Sequence, residues 1–121
     1  MESQSQGSEL GQRRWEADSP TLAGVTGRLR LQVGGKSVGM LAIDDGHLSL
    51  KDDDNQPADV TLNCATRGDL IKLLRGEINP VVAALRGFVR QRGDRAFGAK
   101  VVLGLRAGSP FVHTPFDGKD A

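Results

Sequence analysis

Thr66-Arg67-Gly68-Asp69-Leu70-Ile71-Lys72-Leu73-Leu74-Arg75-Gly76-Glu77-Ile78-Asn79-Pro80-Val81-Val82-Ala83-Ala84-Leu85-Arg86-Gly87 carries two helices and the signals for both ends of each. Thr66 is suited to cap the first, and Asp69 three residues later plays the acidic part of a capping-box-like start. Leu70, Ile71, Leu73 and Leu74 make an apolar stripe, with Lys72 and Arg75 on the other side. Gly76 suits a left-handed stop after the last turn. Asn79-Pro80 then restarts the helix, asparagine as N-cap and proline at the first helical position, where a missing N–H costs nothing. The second helix, Val81 to Arg86, has five apolar residues in a row, which predicts that almost every side of it is buried or lines a cavity. Gly87 ends it.

On the N-terminal side of this pair the period is two. Leu29, Leu31 and Val33 alternate with Arg28, Arg30 and Gln32, a half-buried strand beginning near Val25. Gly34-Gly35 is a hairpin turn, Val38 to Ile43 a second strand, Asp44-Asp45-Gly46 a second turn, and His47 to Lys51 a third strand. The acidic loop Asp52 to Pro57 leads to a fourth strand, Ala58 to Cys64, and the four together predict an antiparallel meander. On the C-terminal side, Phe88 to Gln91, a turn at Arg92-Gly93-Asp94, and Ala99 to Leu105 read as a last hairpin. The fold class is therefore α+β: a mostly antiparallel five- to six-stranded sheet with helices packed on one face. Residues 1–22 hold few large apolar groups, Leu10 and Trp15 among them, and read as a disordered arm. Residues 23–108 form the domain, and 109–121, interrupted by Pro110 and Pro115, an irregular tail into which Phe111, Val112 and Phe116 could dock.

The chain has 121 residues, 38% apolar and 4% aromatic, with 16 Lys+Arg against 15 Asp+Glu. That length fits one small domain, and the near-neutral balance excludes a dedicated nucleic-acid binder. No apolar run approaches the roughly 18 residues of a membrane span. The polar start has no signal-peptide pattern, and the single Cys64 forms no internal disulfide, so a cytoplasmic protein is expected. Charge is uneven: net −4 through Asn63 and net +5 from Cys64 onward. Such a split marks either an electrostatic face toward anionic lipid or a partner, or two solvated surfaces that balance each other.

No constellation carries obvious chemistry. Arg67-Gly68-Asp69 and Arg92-Gly93-Asp94 are adhesion-like tripeptides, but they lie at a helix start and a turn, where these residues are ordinary. Asp52-Asp53-Asp54 lacks the central glycine and the twelfth-position glutamate of a calcium loop. His47 and His113 have no second ligand at zinc spacing. Cys64 reads as a small buried thiol. No catalytic residue, metal or cofactor is expected, and Asp44, Asp45 and His47 are the only acid–base candidates if the chain were a small enzyme acting on a bound steroid or polyketide.

The order of these pieces resembles the sterol carrier protein type-two domain. The shared features are Asp45-Gly46, the Ala58-Asp59-Val60-Thr61-Leu62 strand, the Asp69-to-Pro80 helix pair, Leu85-Arg86-Gly87 and the Gly93-Asp94 turn. The resemblance implies a sheet covered on one face by helices with an apolar tunnel between, and non-covalent binding of a sterol, fatty acid, acyl thioester or phospholipid. Leu70, Leu73, Leu74, Ile78, Val81, Val82 and Leu85 would face a sheet lined by Phe88, Phe97, Val101 and Leu103, an apolar wall suited to a chain or ring system. The same residues would serve equally as the plain core of a helix-on-sheet domain.

Two departures from the family pattern matter. Residues 1–22 show no helical stripe where the family usually begins with a helix, and the C-terminal segment is short and broken by proline. A pocket of roughly 300 Å³ or more is a large hollow for so small a core. Either a second copy or a partner subunit covers the open face, or the cavity has been lost. The leading expectation is a non-catalytic lipid carrier with transient membrane contact. The alternative is an interaction or dimerisation domain of the same fold with a filled pocket, accessory to a lipid-metabolism enzyme.

Overall fold

The computed structural model describes residues 15–111. Six strands form one sheet in the order β1-β4-β3-β2-β5-β6. They are β1 (Trp15–Asp18), β2 (Thr26–Val33), β3 (Lys36–Asp44), β4 (His47–Lys51), β5 (Val60–Cys64) and β6 (Val89–Gly93). Three helices, α1 (Arg67–Leu74), α2 (Pro80–Arg86) and α3 (Arg95–Gly108), pack on one face of it. The α+β class and the helix-covered sheet are as expected.

The two tight turns follow from their residues. Val33 pairs with Lys36 across Gly34-Gly35, both at positive φ, and Asp44 pairs with His47 across Asp45-Gly46, also both at positive φ. Two left-handed residues in a two-residue loop match the twist of the strands they join. The alternation then sorts the faces. Leu29, Leu41 and Leu50 stand in one cross-strand row, and Leu31, Leu62, Ile43 and Leu48 continue the apolar face under the helices.

Four expectations are corrected. First, the fourth strand does not continue the meander: β5 pairs parallel with β2, Leu29 opposite Val60 and Leu31 opposite Leu62. The 52–59 segment crosses the solvent-side face to reach it, held by Arg30 Nε donating to Asp53 Oδ2 at 2.9 Å and by Asp59 Oδ2 accepting from Arg28 N–H at 2.8 Å. Met40, which pairs with Arg30 and so lies on that face, is fully buried and stands outside the main core cluster. Second, Ala99–Leu105 is not a strand but the middle of α3. Asp94 is the N-cap, its Oδ1 accepting from Phe97 N–H at 3.0 Å, so the Gly-Asp pair read as a turn is a helix start.

Third, the arm does not run to residue 22. Trp15–Asp18 pairs antiparallel with β4 and takes the edge that β5 was expected to occupy. A 3-10 turn, Pro20–Leu22, follows and puts Leu22 fully inside the core against Gly104 of α3, where an added Cβ would stand 2.3 Å from Leu22 Cδ2. Thr21 Oγ1 donates to Gly104 C=O at 2.6 Å, tying the same segment to α3. Residues 1–14 of the expected arm, and 112–121 of the expected tail with Val112 and Phe116, lie outside the described residues. Phe111, the last described residue, is buried, with its ring centroid 6.4 Å from that of Trp15. Fourth, α2 is not buried on almost every side: only Ala83 is, while Val81 and Leu85 are 64% and 82% exposed.

Candidate functional site

α1 forms where its signals place it. Thr66 Oγ1 accepts from Asp69 N–H at 3.1 Å, and Leu70, Leu73 and Leu74 are buried. Gly76 ends the turn at φ +78°, with its Cα so close to α3 that a Cβ would overlap Leu105 C=O. That contact fixes where α1 hands over to α2. Asn79 Oδ1 accepts from the N–H groups of Val81 and Val82, at 2.9 and 3.3 Å, and Gly87 closes α2 in the left-handed conformation at φ +74°. Both ends of this seven-residue helix are thus set by side-chain and glycine chemistry. Helix length alone would not hold it.

Between α2 and the β6 edge lies a cleft of about 780 Å³. Leu73, Pro80, Ala83, Ala84 and Val102 line it from the helices, Ile78 from the α1–α2 connection, and Val89 and Gln91 from β6. It continues around the β6 edge past Arg90 and Arg92 to Thr61 and Asn63, their cross-strand partners on the other face, with Gln32, Gly35 and Arg95 completing the lining. The part under the helices is aliphatic, the part beyond the edge is lined by Gln32, Thr61 and Asn63, and the arginines stand at the rim. Among the described residues, arginines are the only charged side chains in the lining. Gln91 Oε1 is buried without a hydrogen-bond partner among the described residues. Gly98 makes room for it, since a Cβ there would stand 2.3 Å from that oxygen. A buried acceptor left unpaired carries a desolvation cost.

The expected lining residues separate into three groups. Leu73 and Ile78 reach the cleft. Leu70, Leu74 and Val101 are close-packed core, and Phe97 is half-buried over Gly27, where a Cβ would meet its ring at 2.4 Å. Val81, Val82, Leu85, Phe88 and Leu103 are exposed and outside the lining. Because α3 is a helix, Phe97, Val101 and Leu103 come from the layer above the sheet instead of from the sheet. The reading from sequence missed Val89, Gln91, Val102 and the three rim arginines. The helical spacing of Gly98, Val101, Val102 and Leu105 was the signal that could have found Val102.

The acid–base candidates lie away from this cleft. His47 sits at the β1–β4 edge, Nδ1 2.7 Å from Asp18 Oδ1 and Nε2 3.2 Å from Glu16 Oε1. Hydrogen bonds to Asp18 and then Glu16 raise its pKa above 6.5. Burial opposes ionisation of Asp53, yet hydrogen bonds from Ser37, Asn55 N–H and Arg30 hold its carboxyl below the usual carboxylate value. Burial pushes the Cys64 thiol up to about 12, which makes it inert in the folded chain. Asp45 Oδ1 accepts from Gly24 N–H at 2.7 Å, a turn-fixing contact.

Residues 8–103 match the SCP-2 sterol transfer family. The chain belongs to that family. Among solved structures it is similar to the sterol carrier protein domain 2 of Helicoverpa armigera, at 21% identity and a TM-score of 0.52, over 74% of each chain. It is similar to the UbiJ-SCP2 ubiquinone synthesis protein at 22% identity and a TM-score of 0.52, over 72% of this chain and 70% of that one. A stereoselective inverting sec-alkylsulfatase from Pseudomonas sp. contains a similar unit, at 22% identity and a TM-score of 0.58. That likeness covers 70% of this chain but only 14% of the sulfatase, so the shared part is one small unit of a much larger enzyme. At these identities the likeness is one of fold. No curated protein matches the chain. Among the described residues no helix is long and apolar enough to cross a membrane.

Proposed function

We propose that this chain is a non-catalytic lipid carrier that holds one amphipathic lipid in the cleft between α2 and β6. The observation that carries the reading is the cleft itself: about 780 Å³, aliphatic where it runs under the helices, in a member of a sterol transfer family. The apolar body of a sterol, fatty acid or acyl thioester would lie against Leu73, Ile78, Ala83, Val89 and Val102, removing that surface from water. Its polar end would meet the β6 edge, where Arg90, Arg92 and Arg95 offer donors. Among the described residues the lining carries no carboxylate, imidazole, thiol or amine, which supports binding without bond-making chemistry. A cytoplasmic setting fits the thiol of Cys64.

Native mass spectrometry of the gently purified full chain tests this. The expected result is a bound lipid mass at one per chain, removed by organic extraction. Repeatedly lipid-free spectra, with the chain recovered as a dimer, would instead favour the interaction-domain reading, in which the exposed Val81 and Leu85 are a subunit contact.

A further inference from the structure

We propose that the outer side of α2 docks on an anionic lipid bilayer. α2 is apolar on both sides, and among the described residues only its inner side meets protein. Ala83 is buried and Ala84 lines the cleft, while Val81 and Leu85, four residues apart and so stacked on one side, are exposed. Val82 and Phe88 add 42% and 40% exposed side chains beside them. Isolated exposed leucines are ordinary. Four large apolar side chains within eight residues make a patch of the kind that marks an interaction surface.

Charge decides the occupant. From Ile78 to Gly108 the chain has six Lys/Arg and one acidic residue, Asp94, which is engaged as the α3 N-cap. Arg86 ends α2, and the Arg90 guanidinium lies beside Gly87, where an added Cβ would be 3.7 Å from it. The ion pairs on Arg28, Arg30, His47 and Lys51 lie elsewhere and do not engage Arg86 or Arg90. A two-fold contact through this face would bring arginines against arginines. An anionic bilayer instead satisfies both features: the aliphatic side chains enter the acyl boundary and the guanidiniums reach headgroup phosphates. Docked this way, the cleft is one helix away from the bilayer surface. The proposal goes beyond the carrier reading and does not rest on it.

Co-sedimentation of the full chain with vesicles tests it, using phosphatidylcholine alone and equal parts phosphatidylcholine and phosphatidylglycerol. The chain is expected to sediment with the anionic vesicles and to be released by added salt. Leu85→Ser should weaken binding by on the order of tenfold, and Arg86→Gln, at the end of α2 and outside the cleft lining, by about fivefold. Both side chains are exposed, so circular dichroism should show the fold intact. Equal sedimentation with both vesicle types, or binding unchanged in both variants, would overturn the proposal. So would a dimer in sedimentation equilibrium that Leu85→Ser converts to monomer, since the face would then belong to a second copy. Docking is read without any lipid uptake, so failure of the carrier reading leaves this result standing and the reverse.

Discussion

Gly76 shows how one residue can hold a site together without touching a ligand. It combines a positive φ with an approach to Leu105 C=O that leaves no room for a Cβ. Gly76→Ala must therefore both strain the backbone and push α1 off α3, an expected loss of roughly 2–4 kcal/mol. Urea unfolding checks it, and an unchanged midpoint would contradict the packing described here. His47 carries the pH dependence of the β1 edge. Its folded pKa is raised by Asp18 and Glu16, so the stabilisation is complete below the unfolded value of 6.5 and is lost as pH rises through the folded value. His47→Gln should flatten that part of the curve of thermal midpoint against pH. An identical slope in the variant would detach His47 from the edge. Cys64, pushed up to about 12, should resist a thiol reagent in mildly alkaline buffer until the chain is unfolded. Immediate labelling of the native protein would show that β5 is not sealed.

Among the elements, the two short helices were legible because their ends are written locally. Thr66, Gly76, Asn79, Pro80 and Gly87 each do in the structure what their chemistry suggests. β1 was not legible, because four residues at a sheet edge with one large apolar side chain are set by β4 beside them, not by their own pattern. The parallel pairing of β5 with β2 was hidden for a similar reason: it depends on which edge is free, and β1 takes the other one. α3 was misread because β-branched Val101 and Val102 between glycines resemble a strand, and because Gly93-Asp94 suits a turn as well as a cap. The cleft was legible only in part. Helix-side Leu73 and Ile78 follow from periodicity, whereas Gln91 and the rim arginines depend on a strand pairing that no local signal fixes. The 15–22 segment offers the sharpest test at this scale. Leu22 is fully buried against Gly104, so Leu22→Ala should cost about 2–5 kcal/mol. A chemical-denaturation midpoint within error of the parent would return that segment to the arm.

For the molecule as a whole, the helices leave the sheet closed at the β1–β4 side and open at the β6 side. Trp15, Leu22 and Phe111 join the core on the first side, while a cleft of about 780 Å³ remains on the second. The chain's charge follows the same division. His47 with Glu16 and Asp18 marks the closed edge, and Arg90, Arg92 and Arg95 the open one. An amphipathic ligand would therefore meet the aliphatic part of the cleft and its arginine rim at a single opening. Filling that opening separates a binding cleft from a mere surface depression. Ala84 lines the cleft but is exposed, so Ala84→Trp can place an indole in it without overpacking the core. The most direct measurement is a titration of the parent chain and of Ala84→Trp with a fluorescent fatty acid, each paired with its thermal midpoint. The account predicts saturable one-to-one binding by the parent and at least about tenfold weaker binding by the variant, since a single lost apolar contact area of this size is worth roughly 1.4 kcal/mol or more, at an unchanged midpoint. Equal affinity in the two proteins, or no saturable binding by the parent, would contradict it.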